Sequence, residues 1–247
     1  MGSHYDVEFL AREACGVDVV SARFSRPPGF EFVPGQWIVL TLSVGDRRLA
    51  ETFTICSAPS DDYLEITTRL SGSAYKNALG GLALGDCAVV TGPGGRLALP
   101  QDSARVVFLV GGVGITPARS MLRDACARGR TFEDAVLFYA NRDTSCVPFE
   151  AEFAEMAGSG VRTVLCYEHP PEGWGGESGF ITAEMVHRHL PRGREDRPFI
   201  VAGPPQMVGA MERVLDELEV PSGRRLVEHF GPKASALERA GGDPPAG

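Results

Sequence analysis

Five consecutive apolar residues, Val106-Val107-Phe108-Leu109-Val110, run straight into Gly111-Gly112-Val113-Gly114-Ile115-Thr116-Pro117, and this junction does most to limit the fold. An unbroken apolar strand is buried on both faces, as in a parallel sheet covered by helices. The glycines let the backbone turn tightly, and Pro117 suits a first helical position. Thr116 stands where a capping hydroxyl is expected. The junction therefore reads as strand, tight loop and helix. Such a loop is either a plain connection or a cradle for phosphate, because the helix N-terminus offers N–H groups and a positive dipole end. It is not the full Gly-x-Gly-x-x-Gly fingerprint: Pro117 stands where the last glycine would be.

The same rhythm repeats to the C-terminal side. Helix is expected from Pro117 to about Ala127, strand at Ala135-Val136-Leu137-Phe138-Tyr139, and helix from Phe149 to Met156. Strand follows from Val161 to Tyr167, helix from Thr182 to Leu190, strand at Phe199-Ile200-Val201-Ala202, and helix from Pro204 to Leu218. Alternating strand and helix predicts a parallel sheet with helices on both faces. A second loop, Ala202-Gly203-Pro204-Pro205-Gln206-Met207, also follows a buried strand and opens a helix. Ligands of open parallel sheets bind at the carboxyl ends of the strands, so both loops belong on one edge.

The first hundred residues read differently. Gly16-Val17-Asp18-Val19-Val20, Trp37-Ile38-Val39-Leu40-Thr41-Leu42 and Leu64-Glu65-Ile66-Thr67-Thr68 are rich in β-branched or aromatic residues, with turn signals at Pro34-Gly35 and Asp61-Asp62 between them. One helix interrupts them, from Ser73 as N-cap to about Leu82. Short strands with one helix predict a small antiparallel β-barrel. The expected organisation is a barrel over 5–100, an α/β parallel-sheet unit over 101–230, and a loose Gly/Pro/Ala-rich tail over 231–247 with a short helix at 234–240.

Bulk properties narrow the function classes. A chain of 247 residues with 43% hydrophobic content can form two such cores. The net charge of -8 and pI near 5.2 argue against bulk binding to nucleic acid or anionic membranes. The six cysteines, at 15, 56, 87, 126, 146 and 166, have none of the close spacing of zinc or iron–sulfur ligands and are read as reduced thiols. No apolar run approaches the roughly 20 residues of a membrane span. No secretory leader pattern is visible, and a cytoplasmic location is expected.

With both loops in view, the chain resembles the ferredoxin–NADP reductase-like superfamily, and most of all its short FAD- and NAD(P)-binding oxidoreductases without a fused ferredoxin domain. The resemblance runs from about Tyr5 to Phe230. It rests on an ordered set: Pro34-Gly35-Gln36-Trp37, Thr52-Phe53-Thr54-Ile55-Cys56-Ser57-Ala58-Pro59, Gly72-Ser73-Ala74-Tyr75-Lys76, Gly85-Asp86, Gly92-Pro93-Gly94-Gly95, the Gly111 and Gly203 loops, and Glu228-His229-Phe230.

The resemblance implies a flavin, FAD rather than FMN, in the barrel, and NADPH or NADH as electron donor in the second unit. It places Phe53 against the isoalloxazine ring, Thr54 near flavin N5, and Ile55 and Ser57 along the ring edge and ribityl chain. Gly72, Ser73 and Ala74 would present a helix N-terminus to the flavin phosphate, with Arg69 and Lys76 as nearby cations. Gly111, Gly112, Gly114, Thr116, Pro117, Gly203, Pro204, Pro205 and Met207 would form the nicotinamide nucleotide site. Glu228 would accept a proton or hydrogen bond beside the flavin, and Phe230 would cover its ring. Thr54, Glu228 and Phe230 are thus the implied catalytic residues, with no metal. Asn141-Arg142-Asp143 bears on nucleotide choice: Arg142 suits a 2′-phosphate and so NADPH, whereas Asp143 suits a ribose diol.

Two positions depart from the pattern. Glu51 stands where the family usually has a phosphate-neutralising Arg, and Ala202 stands where many members have Cys. The implied activity passes electrons from NAD(P)H through FAD to a separate acceptor: a ferredoxin-like protein, an oxygenase or a small molecule. The departures keep a second reading alive, in which the fold persists but the cleft serves another reaction or a partner.

Overall fold

The computed structural model of the chain describes residues 3–190, 193 and 196–230. The tail expected over 231–247, with its short helix, lies outside the described residues.

The first sheet is antiparallel and holds β1 (Ser3–Cys15), β2 (Val19–Ser25), β3 (Trp37–Val44), β4 (Arg47–Thr54), β5 (Tyr63–Arg69) and β6 (Cys87–Gly94), with helix α1 (Ala74–Gly81) between β5 and β6. Its order is β4-β3-β6-β1-β2-β5. It curls around one core that includes Phe9, Phe24, Phe30, Ile38, Leu40, Phe53, Ile55, Ile66 and Val90. The period of two is clear in β3, where Ile38, Leu40 and Leu42 are buried and the residues between them are half-buried. Ser73 caps α1 as expected, its hydroxyl accepting from Lys76 N–H at 3.2 Å. Gly16-Val17-Asp18 is not strand. It is the turn joining β1 to β2, with Gly16 at φ +62° and Val17 fully exposed.

The second sheet holds β7 (Arg105–Gly111), β8 (Asp134–Asn141), β9 (Val161–Tyr167), β10 (Glu177–Ser178), β11 (Phe199–Gly203) and β12 (Arg225–His229). Every pairing is parallel, in the order β10-β9-β8-β7-β11-β12. Helices α2 (Thr116–Ala127), α3 (Glu150–Glu155), α4 (Ala183–His189) and α5 (Pro205–Glu217) connect the strands. Alternate residues of β7 enter two different cores. Val106, Phe108 and Val110 join one, and Val107 and Leu109 join the other. That double burial is why the run carries no polar residue. From β7 the chain builds outward through β8 and β9, then crosses back to β11 and β12 on the other side. The topological switch point therefore lies between β7 and β11, where a crevice forms beyond the strand ends.

The expectation of six free thiols does not hold. Cys15, at the end of β1, is disulfide-bonded to Cys146, in the loop after β8, with Cα atoms 5.3 Å apart. The two lie 131 residues apart in sequence, so spacing alone carried no sign of the pair. Cys56, Cys87, Cys126 and Cys166 are free. No helix among the described residues is long and apolar enough to cross a membrane.

Candidate functional site

The parallel half brings its glycine loops together at the switch point. Gly111 ends β7 and Gly203 ends β11, the strand paired beside it. A Cβ at Gly111 would lie 2.7 Å from Met207 Sδ, and one at Gly203 would lie 2.9 Å from the same sulfur. A Cβ at Gly114 would lie 2.4 Å from the Ala202 carbonyl oxygen. Gly114 is thus required by the backbone packing of one loop on the other, whereas at Gly111 and Gly203 a Cβ would press on the flexible end of Met207. Gly112 differs: its φ is +50° and a Cβ there would meet open space. It is the one glycine of this loop whose bare face is open to an incoming group.

Thr116 is not the cap. A 3-10 turn over Gly112–Ile115 runs directly into α2, so Thr116 already lies within the helix and its hydroxyl donates to the Val113 carbonyl at 3.1 Å. The unpaired N–H groups of the helical run are correspondingly shifted toward Gly112. Pro117 occupies the first turn, as the sequence predicts. Pro204 and Pro205 are exposed at the start of α5.

The end of β8 completes this edge. Asn141 is buried, and its Nδ2 meets no acceptor at normal hydrogen-bond geometry among the described residues. The Tyr139 hydroxyl lies 3.3 Å from the carbonyls of Gly112 and Pro148, tying the loops together. Arg142 is exposed. Asp143 is committed to its own loop, where Oδ1 accepts from the backbone N–H of Ser145 at 2.8 Å and from its hydroxyl. Those hydrogen bonds hold its carboxyl below the usual range. Glu228 pairs in register with Ala202, and Phe230 N–H donates to the Gly203 carbonyl at 2.7 Å. The Glu-His-Phe segment therefore lies on the same strand edge as the Gly203 loop, with Phe230 half-buried against the core cluster that includes Ile115 and Ala202.

On the curled sheet, Phe53 and Thr54 close β4 and are buried. The Phe53 ring lies 5.6 Å from that of Tyr75, and Lys76 Nζ sits 4.2 Å above its centroid. Lys76 donates to Glu51 Oε2 at 2.7 Å and to Thr68 Oγ1 at 2.8 Å. Glu51 is therefore neutralised by a lysine across the groove rather than left as a bare carboxylate. Burial lowers the Lys76 pKa, against the opposing pull of Glu51. Gly72, Ser73 and Ala74 are exposed at the start of α1, whose first turn holds no acidic residue.

Three residues implied as cofactor contacts also have places or partners within the protein itself. Ile55 is fully buried in the barrel core. Ser57 is also fully buried; its hydroxyl accepts from Glu65 N–H at 3.1 Å and its carbonyl from the Ser120 hydroxyl at 2.7 Å. Arg69 is ion-paired with Asp18 at the β1–β2 turn.

The sequence reading missed what joins the two sheets. Arg119 of α2 donates to the Cys56 carbonyl and to Glu65 Oε2 of the curled sheet, and to Glu152 of its own half. Arg123, one turn further, pairs with Asp61 and Glu152. The available signal was two arginines four residues apart on a helix otherwise rich in buried residues. The Cys56 thiol is pushed up to about 12, first by burial and then by Glu65, so it stays protonated.

These residues fit the cofactors that the resemblance implies. A buried amide at Asn141 with no acceptor among the described residues and an open glycine at Gly112 lie at one strand edge, and a capped helix start with a buried cation lies beside Phe53. Residues 108–213 match the model of the oxidoreductase NAD-binding domain. NADH-cytochrome b5 reductase 1 of Aspergillus terreus is 32% identical over 229 residues, covering 85% of this chain and 77% of that protein. The flavohemoprotein of Deinococcus radiodurans is 29% identical over 241 residues, covering 92% of this chain. The chain spans only 59% of that flavohemoprotein's length. A ferredoxin NADP+ reductase from Neisseria gonorrhoeae, solved with bound FAD and NADP, superposes with a TM-score of 0.82 at 21% identity, over 93% of this chain and 99% of that one.

A curled antiparallel sheet set against a parallel sheet with paired glycine loops at its switch point is a two-sheet construction whose switch point is where a nucleotide would bind. The chain belongs to the ferredoxin–NADP reductase-like superfamily, the family of the NADH-cytochrome b5 reductases.

Proposed function

We propose that this chain passes electrons from NADH or NADPH through a bound FAD to a separate acceptor, which is a ferredoxin-like protein, an oxygenase or a small molecule. The meeting of the Gly111 and Gly203 loops at the switch point carries the reading, because it is where a parallel sheet binds a nucleotide. The flavin, when bound, supplies the exchange between hydride and single electrons, while the chain supplies position and electrostatics.

In this reading Gly112 lets the backbone approach the nucleotide's phosphates, and the 3-10 and α2 N–H groups face them. Pro204, Pro205 and Met207 shape the other wall. Asn141 Nδ2 donates to the nucleotide, and the exposed Arg142 remains available for a 2′-phosphate, which favours NADPH over NADH. Phe53 lies along the flavin ring, the Thr54 hydroxyl hydrogen-bonds beside it, and Gly72, Ser73 and Ala74 turn a helix start toward its phosphate. Glu228 holds a proton or hydrogen bond next to the reacting ring, and Phe230 shields that ring from water.

The test is the visible spectrum of the purified full chain, followed by anaerobic addition of NADH and of NADPH. A flavin absorbance that bleaches on nucleotide addition is expected, faster with NADPH. A bound flavin that neither nucleotide reduces would overturn the activity. A colourless protein that takes up no added FAD would overturn the cofactor as well.

A further inference from the structure

Lysine is almost never buried without a reason to hold its charge there. The Lys76 side chain is only 10% exposed, and it stands at the third position of α1, over the face of Phe53. Its ammonium has three donors. One goes to Glu51 and one to Thr68, and the third has no acceptor among the described residues. The two anchors are unequal. Thr68 is buried in β5, but the Glu51 side chain is 36% exposed. A carboxylate in that position returns to water at small cost, since half-exposed ion pairs are weakly held. The ammonium cannot leave as easily, because it lies over the buried rings of Phe53 and Tyr75 in a side chain only 10% exposed.

An anion that reaches this spot therefore meets a fixed cation with an exchangeable counterion. The partly exposed side is the one Glu51 occupies, and Gly72, just before the helix, has φ +77° with nothing within 4 Å of where its own Cβ would be. The capped first turn adds N–H donors and no acidic side chain.

We infer that Lys76 is the group by which this chain selects a phosphorylated flavin, with Glu51 as the counterion that a flavin phosphate displaces. The inference rests on the flavin reading above and deepens it: the ring docks on Phe53, and the phosphate adjoining the ribityl chain, common to FMN and FAD, replaces the Glu51 carboxylate on Nζ. Lys76 is thus a specificity-determining residue, and Glu51 positions it while the site is without ligand. No bond is made or broken; the step is an exchange of ion pairs.

Equilibrium binding of FAD, FMN and riboflavin to the flavin-free full chain, followed by quenching of flavin fluorescence, tests this. Lys76→Met is expected to weaken FAD and FMN by about tenfold or more while riboflavin shifts by less than about twofold. Lys76→Arg, which keeps the charge, should retain the preference for phosphorylated flavins, and Glu51→Gln, which removes the competitor, should bind FAD no more weakly than the parent. The parent's preference for FAD over riboflavin should shrink as salt is raised. Equal losses for all three flavins in Lys76→Met would show a merely structural lysine and overturn the inference. So would a parent chain that binds riboflavin as tightly as FAD. A parent chain that binds none of the three overturns the flavin reading itself, a result distinct from either.

Discussion

Arg119, on the first helix of the parallel half, donates to the Cys56 carbonyl and to Glu65 Oε2 of the curled sheet, both at 3.0 Å. Glu65 is fully buried, and its other cationic neighbour, Arg23, stands off at 3.5 Å. The carboxylate thus depends on a guanidinium from the other half. Arg119→Met should cost about 3–5 kcal/mol, because it strands a buried charge. Adding Glu65→Leu to that variant should recover much of the loss, since a buried ion pair is often replaceable by apolar packing. Chemical denaturation of the two single variants and the double variant measures the coupling. Additive losses would show that Arg119 and Glu65 do not act as a pair.

A covalent link crosses between the same two halves. The Cys15–Cys146 bond ties the end of β1 to the loop that also carries Arg142. Alkylation under denaturing, non-reducing conditions should therefore label four thiols, and six after reduction. Cys15→Ser should lower stability by about 2–4 kcal/mol, the usual range for losing a native disulfide. It should also weaken NADPH binding, because the 141–146 loop loses its anchor on the barrel. Mass spectrometry finding six labelled thiols without reductant would contradict the pairing.

Most of the parallel half was legible because its signals are local. A strand buried on both faces must be apolar throughout, so Val106–Val110 and Phe199–Ala202 announced themselves. The glycine loops followed from their place between such strands and helices. What escaped depends on distance in sequence. Cys15 and Cys146, or Arg119 and Glu65, become partners only when the halves pack, and nothing in their own surroundings shows it. Strand β1 was hidden for another reason: only Val7 and Phe9 of its thirteen residues are buried hydrophobics, so its solvent face dilutes the pattern. Glu51 was legible as a departure, with Arg47, Arg48, Arg69 and Lys76 as candidate compensating cations, but the sequence did not say which of them it meets. Lys76 lies 25 positions away, and only the folded groove brings the two charges to 2.7 Å.

The edge of the parallel sheet holds a titratable clamp. Glu177 accepts from Arg188 at 2.8 Å and lies 2.7 Å from His189 Nε2, which fastens α4 to β10. The Arg188 hydrogen bond, with His189 behind it, holds the Glu177 carboxyl below its ordinary value of 4.5. A carboxyl depressed in the folded state stabilises it above the unfolded value, and that contribution is lost as pH falls through the folded value. Glu177→Gln should thus be less stable than the parent at neutral pH. The two melting temperatures should converge as pH drops below about 4.5. Parallel Tm–pH profiles for the two proteins would rule out this clamp as a source of acid sensitivity.

Gly112 and Gly114 of the loop after β7 should separate by their effects. At Gly114 a methyl group would be driven to 2.4 Å from the Ala202 carbonyl oxygen, which is backbone and cannot turn aside. Gly114→Ala should therefore unseat the two loops, at a cost of about 1–3 kcal/mol from overpacking. At Gly112 the methyl group would meet open space, and only its φ of +50° resists, at about 1–2 kcal/mol. If the open face of Gly112 is where the nucleotide's phosphates approach, Gly112→Val should weaken NADH and NADPH binding far more than its loss of stability explains. Thermal melts with and without nucleotide separate the two effects. The ligand-induced rise in Tm should vanish in Gly112→Val, and Gly114→Ala should start from a lower Tm. A full nucleotide-induced rise in Gly112→Val would move the phosphate site away from this loop.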